Sequence, residues 1–296
     1  MKTKSKIWLG VGAFVVIGAG ATGGGPLVAE PTPGASLQRA PAADTAISHG
    51  HAGGIVVAQH AGTDHGAKDK DAGEGGEGKG LANLPPDLAF AVRIALLRGH
   101  LLVGDELVKQ QQWNAALPHF LHPGEEIYGD LKDQLADYNV PPFDGALKTL
   151  SDVVKGKKSN DYPKALKAVN DALAAADAGM KTKQAANWPG FVVETAVEAI
   201  KTATGEYQQA IVGKRIAKPV EYQDARGFIW QGDRMIESVA ADLQQKDAAS
   251  LGQVRAGLAE LKKAFPSAMP PKTPVKDHAA VFGDVARIEL AAGKLM

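Results

Sequence analysis

The sequence predicts an all-α protein of about eight helices, arranged as two duplicated four-helix units. Apolar residues recur at three- and four-residue steps over long stretches, which is the period of a buried helix face. Aromatic residues make up only 6% of the chain and alanine is abundant, a composition that favours helices over sheets. A third observation, an internal repeat, indicates that one helical unit occurs twice.

The repeat joins the segment around Ala116–Leu131 to the segment around Lys218–Arg234. At an offset of 102 residues the paired positions are His119 with Glu221, Phe120 with Tyr222, His122 with Asp224, Ile127 with Ile229 and Tyr128 with Trp230. Aromatic, aliphatic and metal-binding residue types thus keep their places. Such pseudo-symmetric helical duplications commonly build binding sites in or between their bundles.

Residues 1–29 are typical of an export signal. Three lysines precede an apolar, glycine-rich stretch at Ile7–Ala21, and small residues offer cleavage after Ala21 or Ala29. The apolar stretch is short for a membrane span of about 20 residues. We therefore expect cleavage and a periplasmic or secreted protein with no integral membrane domain, the alternative being an uncleaved anchor.

Residues 30–83 are rich in glycine, alanine, proline and charged residues without an apolar period, so we expect a disordered linker. Half of the eight histidines fall in it: His49, His51, His60 and His65. A soluble linker with incidental histidines and a weak, flexible metal-collecting arm are both compatible with this composition.

Charge and cysteine content exclude several classes of function. The 33 basic and 33 acidic side chains balance, and no basic stripe alternates with aromatics, so the sequence does not indicate nucleic-acid binding. The chain has no cysteine, which excludes disulfides, thiolate metal sites and cysteine nucleophiles. An exported protein without cysteine fits a bacterial periplasm.

The first bundle is predicted for residues 84–182, beginning at the proline-rich Leu84-Pro85-Pro86-Asp87. Its helices are expected from there to about Gln111, from about Trp113 to Leu135 with an interruption at Pro123-Gly124, and over Ala146–Val154 and Tyr162–Ala178. The second bundle is predicted for residues 187–296. Its helices are expected over Val192–Val212, Tyr222–Leu243, Ala248–Phe265 and His278–Leu295.

A metal site is predicted in the first bundle. His119, His122 and Glu126 are spaced i, i+3 and i+7, which places them on one helix face. His100 lies in the apolar stripe of the preceding helix, and counting along two antiparallel helices at about 1.5 Å per residue puts it level with Glu126 rather than His119. The preferred set is therefore His100, His122 and Glu126, with His119 in support.

Imidazole and carboxylate ligands suit iron, zinc or copper, and the sequence does not indicate which of these metals binds. The structural alternative is that His100 is a core histidine and that His119 and His122 are surface or capping residues. The second copy could also hold an all-oxygen site built from Glu221, Asp224, Glu194 and Glu198. Nucleophile elbows, phosphate loops and dinucleotide fingerprints are absent from the sequence, so an enzyme would need the same histidines and carboxylates.

Arg98-Gly99-His100-Leu101-Leu102, on the first long helix after an export signal, resembles the imelysin-like family, which includes periplasmic iron-uptake proteins of the EfeO type. The resemblance implies paired helical bundles and a metal site. The family motif is Gly-x-His-x-x-Glu, whereas here Gly99 directly precedes His100 and Val103 stands in the place of the glutamate. Of the residues in the family motif, only the histidine has a counterpart here, His100.

Together these patterns predict an exported metal-binding protein for capture or delivery of iron or another transition metal, with an envelope transporter or redox protein as partner. The alternative is a helical scaffold that binds another envelope protein and whose histidines are structural.

Overall fold

Helices account for most of the chain from Gly80 to Met296, the residues that the computed structural model describes. The predicted all-α class is confirmed for this part of the chain. The predicted signal peptide and all but the last four residues of the predicted linker lie outside the described residues.

The described chain contains the following α-helices and strands: α1 (Pro86–Lys109), α2 (Trp113–Ala116), α3 (Pro118–His122), α4 (Tyr128–Leu131), α5 (Asp144–Lys155), α6 (Tyr162–Lys183), α7 (Trp188–Ala210), β1 (Ile211–Val212), β2 (Arg215–Ile216), α8 (Pro219–Ser238), α9 (Ala240–Lys262) and α10 (His278–Ala292). Short 3₁₀ helices add Leu81–Asn83, Leu135–Tyr138 and Ala185–Asn187. Because α2, α3 and α4 are pieces of one interrupted segment, the described residues form eight helical segments, the number that the sequence predicts.

Helix α1 lies at the centre of the packing. It is apolar on most of its surface, with buried residues from Leu88 to Val108, and it packs against α3, α6, α7 and α8. The helix begins at Pro86, a position where the backbone N–H would have no hydrogen-bond partner within the helix, so proline costs nothing there. After the helix the chain turns at Gln111, which has a positive φ of 61°. The observed end at Lys109 agrees with the predicted one.

Two glycines let neighbouring helices approach α1 closely. A Cβ added at Gly227 of α8 would collide with the backbone carbonyl of Gly99, so these helix backbones are in direct contact. A Cβ added at Gly104 would meet the Phe120 ring at 2.7 Å and the His119 Cβ at 3.3 Å. Helices α8 and α3 are therefore fixed on α1 within two turns of each other, on either side of His100.

The second helical segment is interrupted, as predicted, at Pro123-Gly124. Pro118 opens α3, and Pro123 begins a wide π-helical turn, Pro123–Ile127, before α4. Since proline cannot donate a backbone hydrogen bond and its ring crowds the preceding turn, the regular ladder cannot continue through these positions. The paired segment of the repeat, α8, is one continuous helix.

Helices α7 and α8 form an antiparallel pair joined by a hairpin that the sequence analysis did not predict. Ile211 pairs with Ile216 and Val212 with Arg215, and Gly213 supplies the positive φ of 63° that its tight turn requires. Along the pair, Gly232 packs on Ile200. The α7–α8 contact is the most extensive between any two described helices.

The predicted helix Tyr222–Leu243 is corrected by the structure, because α8 ends at Ser238 and α9 begins at Ala240. Within α9, Asp247 has an extended backbone and its carboxylate accepts hydrogen bonds from the Ser250 backbone N–H and hydroxyl. This is a helix N-cap. The predicted start of a helix at Ala248 therefore coincides with the second half of α9.

The predicted boundary between 84–182 and 187–296 falls at the turn Ala185–Asn187, and α1 packs on helices from both sides of it. The division into two bundles stays a prediction. None of the helices from Gly80 onward is both long enough and apolar enough to span a bilayer.

Candidate metal centre

Three histidines and an aspartate meet in the interior at the crossing of α1, α3 and α8. His100 comes from α1, His119 and His122 from α3, and Asp224 from α8. Relative exposures are 0% for His100 and His119, 6% for His122 and 1% for Asp224. Burying four ionisable side chains is costly unless they pair with one another or bind a ligand.

Asp224 is the centre of the cluster. Its Oδ1 lies 2.7 Å from the Nδ1 of His100 and 2.7 Å from the Nδ1 of His119, and its Oδ2 lies 3.8 Å from the Nδ1 of His122. The imidazole centroids are 5.8 Å apart for His100 and His122 and 6.3 Å apart for His100 and His119. Phe228 closes one side with its ring edge-on to His100 at 5.0 Å.

His119 has an acceptor at each ring nitrogen. Its Nδ1 faces Asp224, and its Nε2 lies 3.0 Å from Oε1 of Gln223. The orientation of the Gln223 amide is fixed because its Nε2 donates to the Ala268 carbonyl oxygen at 3.2 Å. Both ring nitrogens of His119 therefore face oxygen atoms, and the imidazole is held between Asp224 and Gln223.

The electrostatics of Asp224 follow from this pairing. Burial alone would raise the pKa of the Asp224 carboxyl, but the charges of His100 and His119 and their hydrogen bonds outweigh burial and hold that pKa well below its usual range. The carboxylate is thus ionised and is ready to accept a cation or a proton donor.

His100, His122 and Asp224 each offer one ligand atom, and these atoms all lie within 4.8 Å of one another. Around a shared ion with bonds of about 2.1 Å, ligand atoms stand about 3 to 4 Å apart. Side-chain shifts of about an ångström would therefore bring the three onto one ion. Two imidazoles and one carboxylate are a donor set that iron(II) and zinc both accept.

The structure brings together three of the four predicted ligands, His100, His119 and His122. Glu126 follows on the wide turn after α3, where it is partly buried, and its role as a ligand stays a prediction. The expectation that His119 would lie away from His100 is wrong, because their ring centroids are 6.3 Å apart. Helix α3 begins at Pro118 and contacts α1 at Gly104, about one turn from His100.

Asp224 and Gln223 are the residues of the site that sequence reasoning missed. The sequence suggests that Asp224 could join Glu221 in a separate all-oxygen site, whereas its carboxylate contacts the histidines. The internal repeat did carry a signal, since it pairs Asp224 with His122. These two equivalent residues lie close together, with the Nδ1 of His122 3.8 Å from the Oδ2 of Asp224.

The fold and this cluster define a class: a helical-bundle protein with a buried histidine–carboxylate centre. A family described as the iron permease-associated 4-helix bundle domain matches residues 182–296, less than half of the chain. This range holds the four helices α7 to α10 and includes Asp224, while the three histidines precede it. No curated protein and no solved structure matches the chain. The imelysin-like resemblance is not confirmed.

Proposed function

We propose that this protein captures or delivers iron, bound through His100, His122 and Asp224, as part of an iron-transport system of the bacterial envelope. The observation that carries the proposal is the convergence of these three side chains in a buried site, with their ligand atoms within 4.8 Å. The match of residues 182–296 to an iron permease-associated domain supports iron over zinc or copper and supports a permease as the partner.

The site suits reversible binding of a cargo ion. His100 and Asp224 already contact each other at 2.7 Å, so an incoming metal must displace this close contact. His122 is the most exposed of the cluster histidines, and the wide turn with Glu125 and Glu126 follows it directly. Iron would enter past these carboxylates, with Glu126 as a further ligand and His119 holding Asp224 in place.

Export to the periplasm is part of the proposal and is supported by the positively charged and apolar N-terminal residues. A cleaved signal would leave the folded chain where an envelope permease could receive the ion. Fractionation of cells expressing the full chain, followed by N-terminal sequencing, tests both export and cleavage.

Metal analysis of the full-length chain tests the central claim. We expect one iron per chain after anaerobic loading with Fe(II) and dialysis, and a thermal shift on loading. His100→Ala and His122→Ala should each abolish stoichiometric iron, with far-ultraviolet circular dichroism confirming that they fold. His278→Ala is the matched control, because His278 is exposed on α10 and lies outside the cluster.

The linker histidines need a separate control. A chain in which His49, His51, His60 and His65 are all alanine should keep the iron if the buried site holds it. Loss of iron from this chain, with retention by His122→Ala, would refute the proposal and favour the metal-collecting arm. Parallel titrations with zinc and copper determine the preferred ion.

A second candidate function is a helical scaffold that binds another envelope protein. The observation that favours it is the outer face of α10, where Phe282 is 61% exposed and Leu290 is 81% exposed. A contiguous apolar patch around these two side chains would mark a protein contact. A chain that binds no iron, zinc or copper under any loading condition would leave this function as the better one.

A further inference from the structure

A cleft of about 420 Å³ lies between α1, α6, α7 and α8, and none of the described histidines lines it. Its size falls within the range of sites that hold small organic molecules. Its lining is about half apolar and half polar, and the apolar part comes from all four helices: Ile94, Leu101, Leu166, Trp188, Phe191 and Met235. Such walls suit an aliphatic chain or a ring.

One polar side chain of the cleft is mostly buried and has its amide free for a ligand. Gln231 of α8 is 7% exposed and lines the cleft, yet its side-chain amide makes no hydrogen bond to any described residue. The amide atoms of Gln231 are therefore available at the cleft surface, where a bound ligand would exclude water from them. A ligand with an oxygen acceptor at this position would satisfy this amide.

Some of the charged side chains around the cleft form ion pairs, and one does not. The Arg98 guanidinium and the Asp177 carboxylate form a two-point ion pair, with distances of 2.7 Å. Asp105 is paired with Lys109 at 2.6 Å. Arg234, by contrast, is exposed and has no ion-pair partner among the described residues, and it lies one turn from Gln231 on the same face of α8. The unpaired charge of the cleft is therefore positive.

We propose that this cleft binds a small amphipathic carboxylate. The apolar body of the ligand lies against Trp188 and Phe191, and its carboxylate accepts hydrogen bonds from Gln231 and Arg234. A guanidinium donates to a carboxylate in a charge-assisted pair, which selects an anion over a neutral or cationic molecule of the same shape. This site stands apart from the iron proposal, because it shares no residue with it.

Isothermal titration calorimetry of the full chain with decanoate, decanol and decylamine tests the proposal. All three probes carry the same chain, so they differ mainly in head-group charge. We expect decanoate to bind with a stoichiometry of one and roughly tenfold more tightly than decanol, and decylamine to bind most weakly. Arg234→Gln and Gln231→Leu should each weaken decanoate binding roughly fivefold while leaving decanol unchanged.

Two further variants control this result. Arg215→Gln removes an exposed guanidinium on the hairpin, far along the sequence from the cleft residues of α8, and should leave decanoate binding unchanged. Ala95→Leu narrows the cleft and should reduce the affinity for all three probes. Equal affinities for the three probes, or decanoate binding that Arg234→Gln and Ala95→Leu leave intact, would overturn the proposal. His122→Ala should bind decanoate as the unaltered chain does.

Discussion

His119 positions the other residues of the cluster. Both of its ring nitrogens are occupied, one by Asp224 and one by Gln223, so it has no nitrogen left for an ion unless one contact breaks. By donating to Asp224 it fixes the carboxylate that faces His100 and His122. In metal sites a hydrogen-bonded partner of this kind orients the ligand and tunes its affinity.

Replacement of Asp224 is the sharpest test at the residue scale. Asp224→Asn removes the buried negative charge that the His100 and His119 imidazoles contact at 2.7 Å. Breaking a buried pair from one side costs about 3 kcal/mol in free energy of unfolding. Urea denaturation at neutral pH should show this loss, whereas Asp130→Asn, which removes an exposed partner of Arg93 at 3.4 Å, should change stability by less than about 0.5 kcal/mol.

The effect of Asp224→Asn should also depend on pH. Because the pKa of Asp224 is lowered in the folded protein, its contribution is complete above the usual aspartate value of 3.8 and declines as the pH falls below it. The stability difference between the two proteins should therefore persist at about pH 5 and shrink below about pH 4. A difference that is constant down to acid unfolding would show that the carboxylate is not ionised in the native state.

Sequence reasoning found the histidines of the site but not its carboxylate. The i, i+3 spacing on one helix and the apolar stripe on another were enough to select His119, His122 and His100. Asp224 lies more than a hundred residues further along the chain, and its approach depends on the Gly99–Gly227 backbone contact. Sequence periodicity gives the face of a helix, but it does not say which distant helix packs there.

At the scale of elements, the site depends on how closely α8 approaches α1. Gly99 and Gly227 let the two backbones touch, and this brings Asp224, one turn before Gly227, level with His100, the residue after Gly99. Phe228 then packs on His100. Helices are rigid over these lengths, so any separation at the glycines would be transmitted to the cluster.

A substitution at the crossing should therefore affect both stability and the site. The Cβ of Gly227→Ala would collide with the Gly99 backbone and stand 3.3 Å from the Val103 side chain. Backbone atoms cannot move away from a collision as easily as a side chain can. We therefore expect the free energy of unfolding, measured by chemical denaturation, to fall by about 1 to 3 kcal/mol, and metal binding to weaken. In α7, Gly205→Ala meets nothing within 4 Å and should stabilise the protein by about 0.5 to 1 kcal/mol. If both variants were stabilising, the close crossing would be wrong.

Most helices could be predicted because the residues that mark their ends and buried faces lie within the helices themselves or next to them. Prolines at Pro86 and Pro123 and the apolar period of α1 mark starts, interruptions and buried faces without reference to the rest of the chain. The break at Val239 was missed because apolar residues continue through it into α9. The β1–β2 hairpin was missed because two-residue strands are too short to show a period.

Across the whole molecule, buried phenols connect segments that are distant in sequence. The Tyr207 hydroxyl donates to the Lys276 carbonyl oxygen at 2.7 Å, the Tyr222 hydroxyl to the Ser267 carbonyl oxygen at 3.1 Å and the Tyr162 hydroxyl to Asp105 at 3.0 Å. Tyr138 likewise donates to Asp87. Each bond ties a helix to a loop or to another helix, so the packing as a whole requires these hydroxyls to be protonated.

Burial raises the pKa of Tyr207 to about 12, and it also raises the pKa values of Tyr138, Tyr162 and Tyr222. The negative charge of Asp87 raises the pKa of Tyr138 further, and that of Asp105 does the same for Tyr162. A raised pKa means that the folded state favours the protonated phenol. The resulting stability is complete below the unfolded value of 10.0 and is lost as the pH rises above it.

We therefore expect the free energy of unfolding to fall steeply above about pH 10, and phenolate absorbance to appear together with the loss of helical circular dichroism. In urea the tyrosines should ionise near the ordinary value. Tyr162→Phe keeps the ring and removes one hydroxyl, so its titration should lack one late phenol and its stability should depend less on alkaline pH. Should the phenols of the folded chain ionise near pH 10.0 while the helices persist, the tyrosines would be accessible to solvent and the helices could not pack around them as described.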